Sequence, residues 1–177
     1  MNCSEYLVDF LIKHGVTDVF GYPGGYIVPF MDALYYRKDE INVHVCYNEQ
    51  GCALAADGYA RASGRLGVYF TTSGPGAVNA LGGLADAWFD GIPILGICGN
   101  VPTNEMKGFS GIRQNGFQEM DIISMTRVIT KYSVTANSSE EFGDIVSRAY
   151  NNALLGRQGG VLIDFPLDIQ QADIVSW

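Results

Sequence analysis

The spacing of apolar positions switches repeatedly between two periods along the chain. "NCSEYLVDFLIKHG" sets Tyr6, Leu7, Phe10 and Leu11 on one helix face, and Gly15 follows as a stop. "VTDVFGYPGG" is a short strand running into a turn, and "YIVPFMDALYYR" is a helix with Pro29 in its first turn. "INVHVCYN" then pairs with "EQGCALAADGYARASG", and "GVYFTTSG" with "PGAVNALGGLADAWFD", before the strand "IPILGICGN". From Val101 to Phe117 neither period holds, and an irregular stretch of that length in a small domain points to function or mobility. Beyond it the pattern predicts a short helix, "QEMDIISM", and a strand, "RVITKYSV". A helix "SSEEFGDIVSRAYNNALLG", opened by a Ser138–Glu141 capping box, and a last strand "GGVLIDFP" follow.

The order is strand then helix, about six times over. Runs such as "PILGIC" and "VLIDF" lack polar alternate positions, so those strands are expected to be covered on both faces. The expected fold is α/β: an open, doubly wound, mostly parallel sheet of about six strands with helices on both faces. One domain over residues 1–170, with 171–177 as the start of a linker or tail, suits a chain of 177 residues. Such sheets bind ligands beyond the carboxyl ends of their strands.

Charge and composition remove several classes of function. A net charge of −8 leaves no basic stripe for nucleic acid or an anionic membrane surface. Cys3, Cys46, Cys52 and Cys98 form no CxxC pair and read as buried, reduced thiols. The first residues carry Glu5 and Asp9 instead of a signal peptide, and no apolar run reaches the roughly 20 residues of a membrane helix. A cytoplasmic protein is the expectation. Two isolated histidines, His14 and His44, make no zinc set, and Ser73 lies outside a GxSxG elbow. Asp86 and Asp90 read as a solvated helix end. No metal ligands are expected on this chain.

Four segments fall at strand ends: "GYPGG", "YNEQG", "TTSGPG" and "CGNVP". The glycine-rich ones match neither GxGxxG nor a P-loop, so tight turns and phosphate cradles are both open readings. The unusual residue is Glu49, a carboxylate where strand meets helix, followed by Gly51, Cys52, Ala53, Ala55 and Ala56. It is either a first-turn acid favoured by the helix dipole or a desolvated carboxyl that hydrogen-bonds a ligand nitrogen.

"FGYPGGYIVPFMDAL", "YNEQGCALAADGYARASG", "TTSGPGAVNALGGLADAWFDGIPIL", "GFQEMDIISMTRVITKYS" and "GGVLIDFPLDIQ" occur in that order over nearly the whole chain. Together they resemble the N-terminal pyrimidine-binding domain of thiamine diphosphate enzymes, most closely the acetolactate synthase branch. The resemblance implies that Glu49 hydrogen-bonds N1′ of the cofactor's aminopyrimidine and favours the imino form, whose nitrogen takes the thiazolium C2 proton. It implies that Pro75, Gly76 and Asn79 border the pyrimidine, and that Pro23, Gly24 and Gly25 turn near the thiazolium. Phe117 and Gln118 would face the substrate end of the channel, with Tyr26 beside the reacting carbon.

Two departures bear on substrate choice. Tyr26 stands where the branch has a small residue after its glycine pair, and "NEMKGFSGIRQNG" differs from the usual lead-in to "FQE". A 2-oxo acid decarboxylase or lyase is therefore the runner-up to a carboligating synthase. Glu49, Pro75 and Asn79 speak against a non-catalytic domain of the same fold, and the absence of GxGxxG speaks against a Rossmann nucleotide-binding domain. The chain has no GDG motif to hold the diphosphate through Mg²⁺. The expected partner is a diphosphate-binding domain, in the same gene or on another subunit. Without it the chain is expected to bind the cofactor weakly and turn nothing over. A homodimer is expected through the helix after Glu49, its small face (Ala53, Ala56, Ala60) allowing close approach.

Overall fold

A computed structural model of the chain describes residues 1–108 and 110–174. Six strands form one sheet: β1 (Asp18–Gly21), β2 (Asn42–Val45), β3 (Gly67–Thr71), β4 (Ile94–Asn100), β5 (Tyr132–Thr135) and β6 (Val161–Pro166). The helices between and around them are α1 (Cys3–Lys13), α2 (Val28–Tyr36), α3 (Glu49–Ser63), α4 (Pro75–Asn79), α5 (Leu81–Asp90), α6 (Ile122–Thr126), α7 (Phe142–Leu154) and α8 (Leu167–Gln171). The strand order is β2-β1-β3-β4-β6-β5, and every pairing is parallel.

Alternation along the central strands builds two cores. Val68 and Phe70 of β3, Leu95 and Ile97 of β4, and Val161, Ile163 and Phe165 of β6 pack with α1, α2 and α7. Tyr69, Ile94, Cys98 and Leu162 face the other way, onto α3, α5 and α6. This is the expected doubly covered sheet: β3, β4 and β6 are buried at every position, whereas the edge strand β2 is exposed at all four.

Several local expectations need correction. The helix after β3 is two helices meeting at Ala80. Helix α6 starts only at Ile122, because Gln118 has φ +57, which a right-handed helix cannot include; Asp121 caps it by accepting from the Ser124 N–H at 2.9 Å. The Ser138–Glu141 capping box does not form. Helix α7 begins at Phe142, whose buried ring stacks on Phe165 at 4.6 Å and fixes where the first turn sits. The capping box lies instead at α1, between Asn2 and Glu5. After β6, α8 packs back on the domain through Gln170, which donates to the Tyr26 and Phe165 carbonyls at 2.7 Å. Of the segment 171–177 expected as a linker or tail, residues 175–177 lie outside the described residues.

The small face of α3 is turned inward. Ala53, Ala56 and Ala60 are buried within the chain itself, so they are not the contact with a second copy. They let α5 and β3 approach closely: a Cβ on Gly83 would lie 2.7 Å from the Ala53 Cβ, and one on Gly67 would lie 2.1 Å from the Ala56 carbonyl oxygen. Asp86 and Asp90 are also not simply solvated. Arg61 reaches from α3 to both, at 3.2 and 2.8 Å, while its Nε holds Asp57 at 2.6 Å.

Two glycine substitutions at this helix pair should act with opposite signs. Gly83→Ala inserts a methyl into the α3–α5 contact and should lower unfolding stability by about 1–3 kcal/mol. Gly58→Ala, on the exposed side of α3 with nothing near its Cβ, should raise it by about 0.5–1 kcal/mol. Urea denaturation of the two variants checks both.

Candidate functional site

Three turns meet at the carboxyl ends of neighbouring strands. Strand β1 lies between β2 and β3, so the connections after β1 and β3 leave in opposite directions and open a crevice there. The turn after β1 carries Pro23, Gly24 and Gly25, the turn after β2 carries Asn48 and Glu49, and the turn after β3 carries Thr72 to Gly76.

Asn48 fixes where Glu49 begins a helix. Its backbone is extended, and its side-chain oxygen accepts from the Gly51 N–H at 2.7 Å. Glu49 is therefore the first residue of α3, half-buried, with the positive end of the helix beside its carboxylate. Asn79, the last residue of α4, donates from Nδ2 to Glu49 Oε2 at 2.8 Å. Among the described residues that is the only hydrogen bond to the carboxylate, which leaves Oε1 for a ligand.

The glycines make room around this pair. A Cβ on Gly76 would stand 3.1 Å from Glu49 Oε1 and 2.9 Å from the Thr72 methyl. A Cβ on Gly24 would stand 2.4 Å from the Thr72 Cβ. Thr72 thus joins the first turn to the third, and Gly24, Thr72, Gly76, Glu49 and Asn79 form a continuous wall. A flat ring with a nitrogen that can share a proton can reach Oε1 along a wall of this kind, since Gly24 and Gly76 add no Cβ to it.

The remaining predicted residues are arranged less tightly. Pro23, Gly25 and Pro75 are exposed at their turns. Gln118 lies against the third turn: its carbonyl oxygen would be 2.2 Å from a Cβ on Gly74, whose φ is +57. Only glycine at position 74 lets the long irregular segment rest there, and this contact holds Phe117, 68% exposed, near the site. Tyr26 is half-buried, and its carbonyl oxygen sits over Gly99. Thr72 and Asn48 were not among the residues singled out from the sequence. Asn48 had a readable sign, a capping residue directly before the helix; Thr72 had none, since its part depends on which turns become neighbours.

A second polar cluster lies farther along the sheet edge. Asp164 of β6 is 3% exposed; Asn100 and Thr135 donate to its Oδ2 at 3.0 and 2.9 Å, and its Oδ1 has no partner. It lines a cavity of about 200 Å³ with Lys107, Glu119 and Asp121. Burial pushes its carboxyl up to about 7. Larger cavities, of about 460 and 550 Å³, lie beside β2 and beneath α2, and Glu49 lines neither. Among the described residues no cluster of His, Cys, Asp and Glu could hold a metal ion, and no helix is long and apolar enough to cross a membrane.

The family profile described as "Thiamine pyrophosphate enzyme, N-terminal TPP binding domain" matches residues 1–125. The chain is 44% identical, over all of its length, to the acetolactate synthase isozyme 2 large subunit of Escherichia coli (strain K12). It is 44% identical over 95% of its length to an acetolactate synthase of Arthrospira platensis. It is 42% identical over 93% of its length to the mitochondrial acetolactate synthase catalytic subunit of Saccharomyces cerevisiae (strain ATCC 204508 / S288c). It spans 31%, 28% and 23% of those three relatives.

Stability should carry the mark of Asp164. The folded state keeps its proton up to about pH 7, whereas the unfolded chain releases it near 3.8, so the folded state binds more protons in between. The contribution of Asp164 to stability therefore falls as pH rises from about 4 to about 7. Asp164→Asn should flatten that fall in urea unfolding followed across the interval; an unchanged slope would show that the buried carboxyl does not titrate there.

Proposed function

The chain belongs to the family of thiamine pyrophosphate enzyme N-terminal TPP binding domains, and from that membership we propose that it supplies the pyrimidine half of a thiamine diphosphate site. The whole protein would act on small 2-oxo acids, as an acetolactate synthase-like carboligating enzyme. The observation that carries this reading is the Asn79–Glu49 hydrogen bond, which holds a half-buried carboxylate at the sheet's switch point with Oε1 facing the glycine-lined wall.

The residues fit the cofactor. When bound, thiamine diphosphate supplies carbanion chemistry at its thiazolium C2. Glu49 Oε1 would share a proton with N1′ of the aminopyrimidine, and Asn79 would hold Oε2 so that the carboxylate keeps one orientation. Gly76 lets the ring approach the carboxylate, and Pro75 would border it. Gly24, with Pro23 and Gly25, keeps the first turn low near the thiazolium. Phe117 and Gln118, seated by Gly74, would form the substrate side, and Tyr26 would shape its floor.

Among the described residues no cluster of His, Cys, Asp and Glu could hold a metal ion, and the diphosphate and Mg²⁺ would be held by a separate diphosphate-binding domain. That domain would close the site from outside, and in a homodimer it would come from the second chain. The surface left for it carries exposed apolar groups: Tyr47, two residues before Glu49, is fully exposed, and Leu54 of α3 is 44% exposed. With Ala53, Ala56 and Ala60 buried, this outer side of α3 replaces the small stripe as the contact. A cytoplasmic location is part of the proposal; among the described residues no helix is long and apolar enough to cross a membrane.

Two measurements test the proposal. Calorimetric titration of the chain alone with Mg²⁺ and thiamine diphosphate should show binding weaker than millimolar; micromolar affinity would contradict a half-site. In the protein together with its diphosphate-binding domain, Glu49→Gln should lower turnover of 2-oxo acids by roughly 10²–10⁴. Asn79→Ala should cost about tenfold, mainly in kcat, because the carboxylate keeps its chemistry and loses its orientation.

A further inference from the structure

Gln118 is the one residue other than glycine, among the described residues, with a left-handed backbone (φ +57). Such a conformation persists only where its surroundings fix it. Burial does not fix it, because Phe117 and Gln118 are both exposed. One restraint is Gly74, on which the Gln118 carbonyl rests. The next residue, Glu119, supplies the other. It is not the capping acid of the following helix, since Asp121 caps α6.

The Glu119 carboxylate instead accepts two backbone N–H groups of the irregular segment. Lys107 donates to Oε1 at 2.8 Å, and Asn115 donates to Oε2 at 3.1 Å. These two donors stand at the two ends of a loop, residues 107–115. Further bonds close its neck. The Gly116 N–H donates to the Glu105 carbonyl at 2.8 Å, and the Glu119 N–H to the Gly116 carbonyl at 3.2 Å. Lys107 Nζ donates across the loop to the Arg113 carbonyl at 3.2 Å. The neck is fastened to the sheet through Gly116, which is buried; a Cβ there would lie 2.7 Å from Val101 Cγ1. The Val101 N–H in turn donates to the Asn100 side chain, at the end of β4, at 2.8 Å. Phe117 and Gln118 lie between Gly116 and Glu119, so both neighbours of this dipeptide belong to the neck.

We propose that Glu119 is a positioning residue for the substrate side of the site: its carboxylate clasps the loop at both ends and thereby holds Phe117 and Gln118 in place. This rests on the reading of those two residues given above. The clasp uses both carboxylate oxygens, each facing an N–H. A glutamine has one acceptor oxygen, and its amide NH₂ would face the second N–H without a bond. An alanine has no acceptor at all. The Glu49–Asn79 pair sits on α3 and α4, so loosening the loop leaves the carboxylate that faces the cofactor where it is.

Trypsin reads the clasp in the folded chain, without cofactor. Lys107 and Arg113 offer two cleavage points within the loop. Glu119→Gln and Glu119→Ala should be cut there about tenfold faster than wild type, with Ala at least as fast as Gln. In the protein together with its diphosphate-binding domain, both variants should lose about tenfold in kcat/KM for 2-oxo acids while C2–H exchange of thiamine diphosphate keeps its wild-type rate. A general loss of structure would lower both together. The proposal is overturned if the loop is cut at the wild-type rate, if kcat/KM is unchanged in a variant whose loop has opened, or if exchange falls in step with turnover. Absence of both exchange and turnover in the wild-type protein would sink the cofactor reading instead, and the trypsin rates would still decide the clasp.

Discussion

One hydrogen bond, from Asn79 to Glu49, ties the ends of two helices that belong to different turns of the sheet. It depends on glycine at the two closest approaches between the surrounding turns. Gly76 brings α4 to within contact of the carboxylate, and Gly24 lets the first turn settle on Thr72. The strands themselves contribute little to the chemistry. Their parallel order sends every carboxyl end to one edge, and the reversal at β1 leaves a crevice where these turns can meet. A carboxylate at a helix start is common; one that is half-buried, oriented by an amide and approached past two glycines is not needed for folding.

The interior explains why that edge is stable enough to carry such a group. Two cores cover the two faces of the sheet, and the three central strands are buried throughout. On the α3 side, small residues are spent on close packing within the chain, which brings α5 against α3 and sets α4 at the height of Glu49. The same packing explains why the stripe of alanines is not a dimer contact. What remains outside is Tyr47, Leu54 and the exposed edge of β2, a surface suited to the further domains that the much longer relatives contain.

Much of the fold was legible in the sequence because its signals are local. Uninterrupted apolar runs identify β4 and β6 as doubly covered, and the change of period after "HVCYN" marks the start of α3 within a residue. Glu49 stood out because an acid at that junction has neither a core nor an evident charge partner. The rest depended on contacts between distant turns. Nothing in "GFQEMDIISM" shows that Gln118 adopts a left-handed backbone against Gly74 and so delays α6. The Ser138–Glu141 spacing is right for a capping box, yet the stacking of Phe142 on Phe165 decides where α7 begins. Likewise the partner of Glu49 could be named only by the family resemblance, and its position only by the structure.

The most direct measurement of the central claim is proton exchange at C2 of thiamine diphosphate, followed by NMR in the protein together with its diphosphate-binding domain. The account predicts that Glu49→Gln slows this exchange by roughly two orders of magnitude or more while the cofactor remains bound. Exchange at the wild-type rate in the bound variant would contradict it, because the carboxylate held by Asn79 would then have no part in activating the cofactor.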